Sequence, residues 1–162
     1  MNKVVIFGNS GSGKSTLAKE LTLKNQLAHL DLDTIAWKAS TPPERQSISE
    51  SKKLIEDFLT AHDNWVIEGC YSDLLELVTP KADEVIFLNL PISACVENAR
   101  KRPWEPHKYE SKEAQDANLD MLIDWISQYS TRSDTFSKLA HEKLFNQHQG
   151  KKTMYVSNVN RK

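Results

Sequence analysis

Nine consecutive residues carry the most explicit chemistry in this chain: Gly8, Asn9, Ser10, Gly11, Ser12, Gly13, Lys14, Ser15 and Thr16. They fit the pattern G-x-x-x-x-G-K-[ST], in which a loop of backbone N–H groups curls around phosphate oxygens. The glycines at 8, 11 and 13 permit that turn and let the main chain approach an anion closely. A helix opening near Lys14 would aim its dipole and its unpaired N–H groups at the same charge. In this pattern Lys14 reaches the β- and γ-phosphates and the Ser15 hydroxyl binds Mg²⁺. The expected ligands are therefore the phosphates of a nucleotide and Mg²⁺.

Carboxylates at two further points suit the same chemistry. Glu68 ends the run Trp65-Val66-Ile67 and is the first polar residue after a buried-looking strand; an acid there can hold Mg²⁺ or orient a nucleophile. Asp31 and Asp33 alternate about Leu32, so an extended segment puts both on one side. One could serve the metal and the other an acceptor hydroxyl, whose proton must be taken or whose oxygen must be positioned. Asp31 is read as the metal-site residue and Asp33 as the acceptor residue. Arg100 and Arg102 stand where a helix meets the stretch Pro103-Trp104-Glu105-Pro106-His107-Lys108-Tyr109, too rich in proline for a helix or central strand. Arginine donors on a mobile loop could stabilise charge on the transferring phosphoryl group and exclude water. Arg132 is a further candidate on the same grounds. Lys38 and Arg45 could bind an anionic acceptor, and Trp37, Trp104 and Tyr109 could stack on a planar ligand, although burial explains Trp37 equally well.

The elements that must position these groups follow from apolar runs and breakers. Strands are expected at Lys3 to Phe7, Ala28 to Leu32, Trp65 to Ile67, Glu84 to Leu90 and Met154 to Val156. Helices are expected from Lys14 to about Leu23, from Pro43 to about Ala61 after the break Ser40-Thr41-Pro42-Pro43, from Leu74 to Val78, from Pro91 to Arg102, from Lys112 to Tyr129 and from Asp134 to Phe145. In the second helix Ile48, Leu54, Ile55, Phe58 and Leu59 should face inward. In the helix after the lid, Leu119, Leu122, Ile123 and Ile126 should form one stripe. Alternation of strands and helices predicts an α/β fold with a parallel sheet, in which ligands bind beyond the carboxyl ends of the strands.

Composition narrows the class. The chain of 162 residues is expected to be a single domain spanning 1–162, with an acceptor segment at about 34–64 and a lid at about 100–112. Its formal net charge of −1 gives no global attraction for nucleic acid. Cys70 and Cys95 have no metal-like spacing, which fits a reducing, cytoplasmic compartment. No apolar run approaches a membrane span, and the opening strand leaves no room for a signal peptide.

The phosphate loop opening a small α/β domain, the acidic pair after the second strand and the arginines after the fourth resemble the small-molecule and nucleotide kinases, among them shikimate kinase, gluconate kinase and adenylate kinase. Asp31-x-Asp33 is similar to the D-x-D of shikimate kinases, and Trp65-Val66-Ile67-Glu68-Gly69 to the strand segment of adenylate kinases, with Glu for Asp. Leu32-Asp33 before Trp37-Lys38, then Gly69-x-Tyr71-Ser72, Ala82-Asp83 and the arginines 100 and 102 resemble the group called DNA topology modulation protein, FlaR-related. The run Leu74-Leu75-Glu76-Leu77 lacks an arginine expected in that group, and the glycine-rich acceptor motif of shikimate kinases is missing at Gly69-Cys70-Tyr71. The resemblance implies a P-loop NTPase fold of three α/β/α layers, with a five-stranded parallel sheet in the order 2-3-1-4-5 and a short lid. It implies an ATP-dependent phosphotransferase acting on a nucleotide or small molecule, with a hydroxyl acceptor favoured by D-x-D. A nucleotide-binding regulatory ATPase without a small-molecule acceptor is the other function compatible with these motifs.

Overall fold

The computed structural model describes residues 2–38, 44–106 and 109–158. The break at Ser40–Pro43, the proposed helix start at Pro43, and His107 and Lys108 of the proline-rich stretch lie outside the described residues.

Five strands, β1 (Lys3–Gly8), β2 (Ala28–Asp31), β3 (Trp65–Gly69), β4 (Glu84–Leu88) and β5 (Lys151–Tyr155), form one parallel sheet in the order β2-β3-β1-β4-β5. The order expected from the resemblance is the order observed. Central strands of such a sheet must bury both faces, which is why they read as unbroken apolar runs. Val5 and Phe7 point to one face, where they meet Trp65, Ile67, Leu74, Val85 and Leu144. Val4 and Ile6 point to the other, against Leu17, Ala18, Val66, Ala99 and Ile126. The first face is covered by α2 (Ile48–Ala61), α3 (Ser72–Val78) and α7 (Lys138–Gln147). The second is covered by α1 (Lys14–Asn25), α4 (Ile92–Lys101) and α6 (Leu119–Ser127). A short α5 (Lys112–Ala117) precedes α6. Edge strand β5 exposes Lys151 and Lys152, charges that blunt an open edge. No described helix is long and apolar enough to cross a membrane.

Several expected boundaries move, and the helix ends move for local reasons. Helix α2 starts at Ile48, because the Ser47 hydroxyl caps it by accepting the Glu50 N–H. The residues before it pair instead as a short antiparallel bridge, Trp37 with Arg45, closed by Lys38 N to Glu44 O at 2.8 Å and Gln46 N to Ala36 O at 2.8 Å. Within α2, Ile55 is buried and Phe58 and Leu59 are half-buried, but Ile48 and Leu54 are exposed. Helix α7 starts at Lys138 rather than Asp134, since Ser137 is the cap and Asp134 closes the preceding turn through Phe136 N. The long helix expected from Lys112 to Tyr129 breaks at Asn118, whose side-chain amide donates to the Tyr109 hydroxyl at 3.0 Å. The apolar stripe survives the break, with Ile126 buried and Leu119, Leu122 and Ile123 half-buried. Strand β5 starts three residues earlier and ends one residue earlier than the expected Met154 to Val156.

Behind the carboxyl end of the sheet lies His141, fully buried against Phe7 and Phe87. Its Nε2 is 2.8 Å from the Cys70 carbonyl and its Nδ1 is 2.7 Å from the Tyr129 hydroxyl. A carbonyl only accepts, so Nε2 carries the proton and Nδ1 accepts from Tyr129 O–H; the neutral ring satisfies every group. Burial accordingly lowers the His141 pKa to about 4. The unfolded chain binds this proton near the ordinary histidine value and the folded chain does not, so stability is complete above about pH 6.5 and is lost as pH falls toward 4. Unfolding free energy from urea titration should drop by about 2 kcal/mol between pH 7.5 and pH 5 on account of this group. A His141→Gln variant should lose that part of the slope; an unchanged slope would show that His141 is not its source.

Candidate active site

The phosphate loop joins β1 to α1 and is held by contacts from α4 and α6. Gly11 has φ 79° and Gly13 φ 91°, the left-handed region that favours glycine. A Cβ on Gly11 would also stand 2.4 Å from the Cys95 carbonyl oxygen, so the loop lies directly on the start of α4. Asn98 Nδ2 donates to Gly11 O at 2.8 Å, and buried Asn9 Nδ2 donates to Ile126 O at 3.2 Å. These bonds engage loop carbonyls and side chains, while within the loop the Ser12 N–H turns to Asn9 O at 3.2 Å. Helix α1 begins at Lys14 with no side-chain cap, as an N-terminus that meets a phosphate requires. Lys14 Nζ rests on Asn9 O at 2.8 Å, within the loop that it would leave for a phosphate oxygen.

Glu68 is 1% exposed, at the end of β3. Its Oε2 accepts from the Ser15 hydroxyl at 2.7 Å and from His29 Nε2 at 2.9 Å. Ser15 and Glu68 therefore present hard oxygen donors side by side at the loop, a set that fits Mg²⁺. Asp31 is level with Glu68 across the β2–β3 pair. Its Oδ1 accepts the Asp33 N–H at 2.9 Å and caps the 3₁₀ turn Leu32–Thr34, so it shapes the strand end that carries Asp33. Asp33 accepts from the Tyr71 hydroxyl at 2.5 Å, and Tyr71 in turn accepts from Trp37 Nε1 at 2.9 Å. Burial and the neighbouring Asp33 charge raise the Tyr71 pKa, so the phenol stays a donor. Cys70 sits between these groups, but burial pushes its thiol up to about 12 despite Lys14, which keeps it protonated and unreactive.

A cleft of about 1660 Å³ opens beyond the strand ends and is shared by the loop, Lys14, Ser15, Glu68, Asp33 and Arg102. The three candidate arginines part company here. Arg102 lines the cleft and pairs with Glu105 at 3.4 Å. Arg100 is exposed on α4 and is not part of the cleft wall. Arg132 lies over the Trp125 ring, 3.5 Å from its centroid, and donates to Trp125 O at 2.6 Å; it reaches the cleft through Trp125 rather than directly. The lid stretch is fastened to α5, with Gln115 accepting from Glu105 N at 2.8 Å and donating to Pro103 O at 3.1 Å. Trp37, Lys38, Trp104 and Tyr109 line the cleft as expected for ligand-facing residues, whereas Arg45 does not.

Sequence reasoning missed His29 as a partner of Glu68, Tyr71 as the donor to Asp33, and Phe136 and Trp125 as cleft walls. Strand alternation could have found His29, since it precedes Asp31 by two residues on the same pleat. Nothing local connects residue 136 to residue 71.

Comparison with known proteins gives the same picture from outside. Residues 4–118 match the family model AAA_18, described as AAA domain. An uncharacterized protein of Bacillus subtilis strain 168, YqaC, is 29% identical over 147 residues, covering 85% of this chain and 78% of its own. Among solved structures, a gluconokinase from Sinorhizobium meliloti 1021 aligns over 99% of this chain and 84% of its own, with a TM-score of 0.55 at 15% identity. A shikimate kinase from Bacteroides thetaiotaomicron aligns over 99% and 89%, with a TM-score of 0.52 at 16% identity. A sugar kinase from Janibacter sp. HTCC2649 aligns over 96% and 85%, with a TM-score of 0.54 at 12% identity. The family match spans the phosphate loop and the first four strands, and the observed strand order completes it: the chain belongs to the AAA domain family and has the fold of the P-loop kinases.

Proposed function

We propose that the protein transfers the γ-phosphoryl group of ATP to a hydroxyl of a small molecule. One observation carries this reading: the phosphate loop and the Asp33 carboxylate line one cleft of about 1660 Å³. A single small ligand fills roughly 300–1,000 Å³, so two reactants fit side by side. Free thiols at Cys70 and Cys95 suit a reducing, cytoplasmic setting for such an enzyme.

The loop amides and Lys14 hold the phosphates of ATP. Mg²⁺, held at Ser15 and Glu68 with Asp31 alongside, would offset charge on the β- and γ-phosphate oxygens. Asp33 receives the proton of the acceptor hydroxyl while the acceptor oxygen bonds to the γ-phosphorus. The bond from that phosphorus to the β–γ bridging oxygen breaks, and ADP leaves with its electron pair. Tyr71 holds Asp33 in place by its short hydrogen bond. Arg102, at the lid end of the cleft, stabilises the negative charge on the transferring group.

Two measurements test these roles. Asp33→Asn should keep Mg·ATP affinity by calorimetry within about twofold and reduce acceptor turnover by on the order of 10²–10⁴, the usual weight of a general base. Lost ATP affinity with normal acceptor KM would make Asp33 a metal-site residue instead. Arg102→Ala should lower kcat and kcat/KM together, by on the order of 10³ if it acts as an arginine finger, and more than Arg100→Ala does. The reverse order of the two variants would move the catalytic role to Arg100.

A further inference from the structure

Three of the four tryptophans, Trp37, Trp104 and Trp125, are 36–42% exposed, and all three line the cleft. Exposed tryptophan gathered in one concavity marks a ligand surface rather than a core. Two of them are the ends of a continuous row. Trp37 meets Tyr71 with centroids 6.5 Å apart at 73°, Tyr71 meets Phe136 at 5.3 Å and 71°, and Phe136 meets Trp125 at 5.2 Å and 67°. Each ring stands edge to face with the next, and all four line the cleft. The row begins at the acceptor carboxylate, since Tyr71 donates to Asp33.

Two guanidinium groups back this wall without entering the cleft. The Arg45 Cζ lies 4.9 Å from the Tyr71 centroid and 5.7 Å from that of Phe136, and Arg132 lies on Trp125. Arg45 is committed to Asp73 at 3.2 Å and to Ala36 O at 3.2 Å. Beside Trp37, Lys38 pairs with Glu44 at 3.8 Å. The other cleft cations belong elsewhere: Lys14 and Lys19 to α1, Lys101 and Arg102 to the lid end. Among the described residues Lys38 is the cleft cation beside these rings and no arginine lines the cleft there, so a carboxylate or phosphate on the acceptor would find no guanidinium fork to receive it.

We infer that the acceptor half of the cleft takes an uncharged alcohol joined to a flat ring system, its ring laid on the Trp37–Tyr71–Phe136–Trp125 wall and its hydroxyl directed to Asp33. This rests on the phosphotransfer reading and names its acceptor class. The Trp37–Tyr71 end of the wall sits at Asp33, while its Trp125 end adjoins Ile126, whose carbonyl takes the Asn9 bond of the phosphate loop. Stacking on such a wall is tolerant of ring identity, and its contribution is large for each base-sized ring.

The test measures binding, by tryptophan fluorescence and calorimetry, with the full chain saturated by Mg·ADP. Probes are adenosine, cytidine, thymidine and pyridoxine as ring-bearing alcohols, gluconate and shikimate as hydroxy acids, and AMP and CMP as charged counterparts. At least one ring-bearing alcohol should bind tenfold or more tightly than gluconate, shikimate and the monophosphates. Phe136→Leu and Trp37→Leu, tested separately, should each weaken that probe about tenfold. Mg·ADP affinity on the same samples reports whether each variant is folded, so one that fails to fold leaves the other to decide. Tighter binding of either hydroxy acid or of a monophosphate overturns the inference, as does affinity that survives both substitutions in folded protein. Binding of adenosine only when Mg·ADP is withheld also overturns it, by making the wall the nucleotide's own base site. Failure in the acceptor arm with tight Mg·ADP binding removes only this inference; failure of the wild type to bind Mg·ADP removes the phosphotransfer reading with it.

Discussion

A loop that binds phosphate through its main chain must keep its N–H groups unpaired, yet unpaired backbone is costly wherever water is excluded. The chain meets this constraint by fastening the loop to its neighbours through a carbonyl, a side chain and close packing. Asn98 binds Gly11 O, Asn9 binds Ile126 O, and Gly11 lies so close to the Cys95 carbonyl that only a residue without Cβ fits. Both faces of the sheet contribute to the surrounding support. Helices α4 and α6 hold the loop from one side, while His141 from α7 engages the Cys70 carbonyl just past the end of β3 on the other. Rigid walls are what allow charge to be met without reorganisation.

The second consequence concerns Glu68. A carboxyl group that is 1% exposed must find its hydrogen-bond partners inside the protein. Ser15 and His29 both donate to its Oε2, one from the phosphate loop and one from the neighbouring strand. Loop, strand β2 and strand β3 are thereby coupled at a single oxygen atom. That coupling brings the residues that would handle phosphate and metal to within a few ångströms of the turn that carries Asp33.

On the acceptor side the controlling interactions are aromatic. Tyr71 is buried enough for its hydroxyl to remain protonated, which fixes the direction of the Trp37–Tyr71–Asp33 chain of hydrogen bonds. Arg45, which a composition-based reading offers to an anionic acceptor, is instead enclosed by Asp73 and three rings. A cation so placed stabilises the wall and contributes nothing to charge recognition in the cleft.

The sequence by itself determined the elements whose signals are local. The phosphate loop follows from the spacing of glycines, Lys14 and Ser15, and the central strands β1, β3 and β4 follow from apolar runs long enough to need cover on both faces. The placement of Glu68 at the carboxyl edge of the sheet follows too, since it closes a strand of a parallel sheet, whereas Asp33 lies beyond the end of β2 in a 3₁₀ turn that the expectation of an extended Asp31–Asp33 segment did not contain. Helix starts were legible less well, because Pro43 and Asp134 are start signals in isolation while Ser47 and Ser137, a few residues on, make the caps. Only the tertiary structure decided among the arginines. Arg100 and Arg102 are two residues apart on a helix end, and which one meets the cleft depends on the packing of α4. Only the tertiary structure, likewise, joined Trp37, Tyr71, Phe136 and Trp125 into one wall, since residues separated by tens of positions are brought together by the order of strands and the crossing of helices, which no spacing along the chain records.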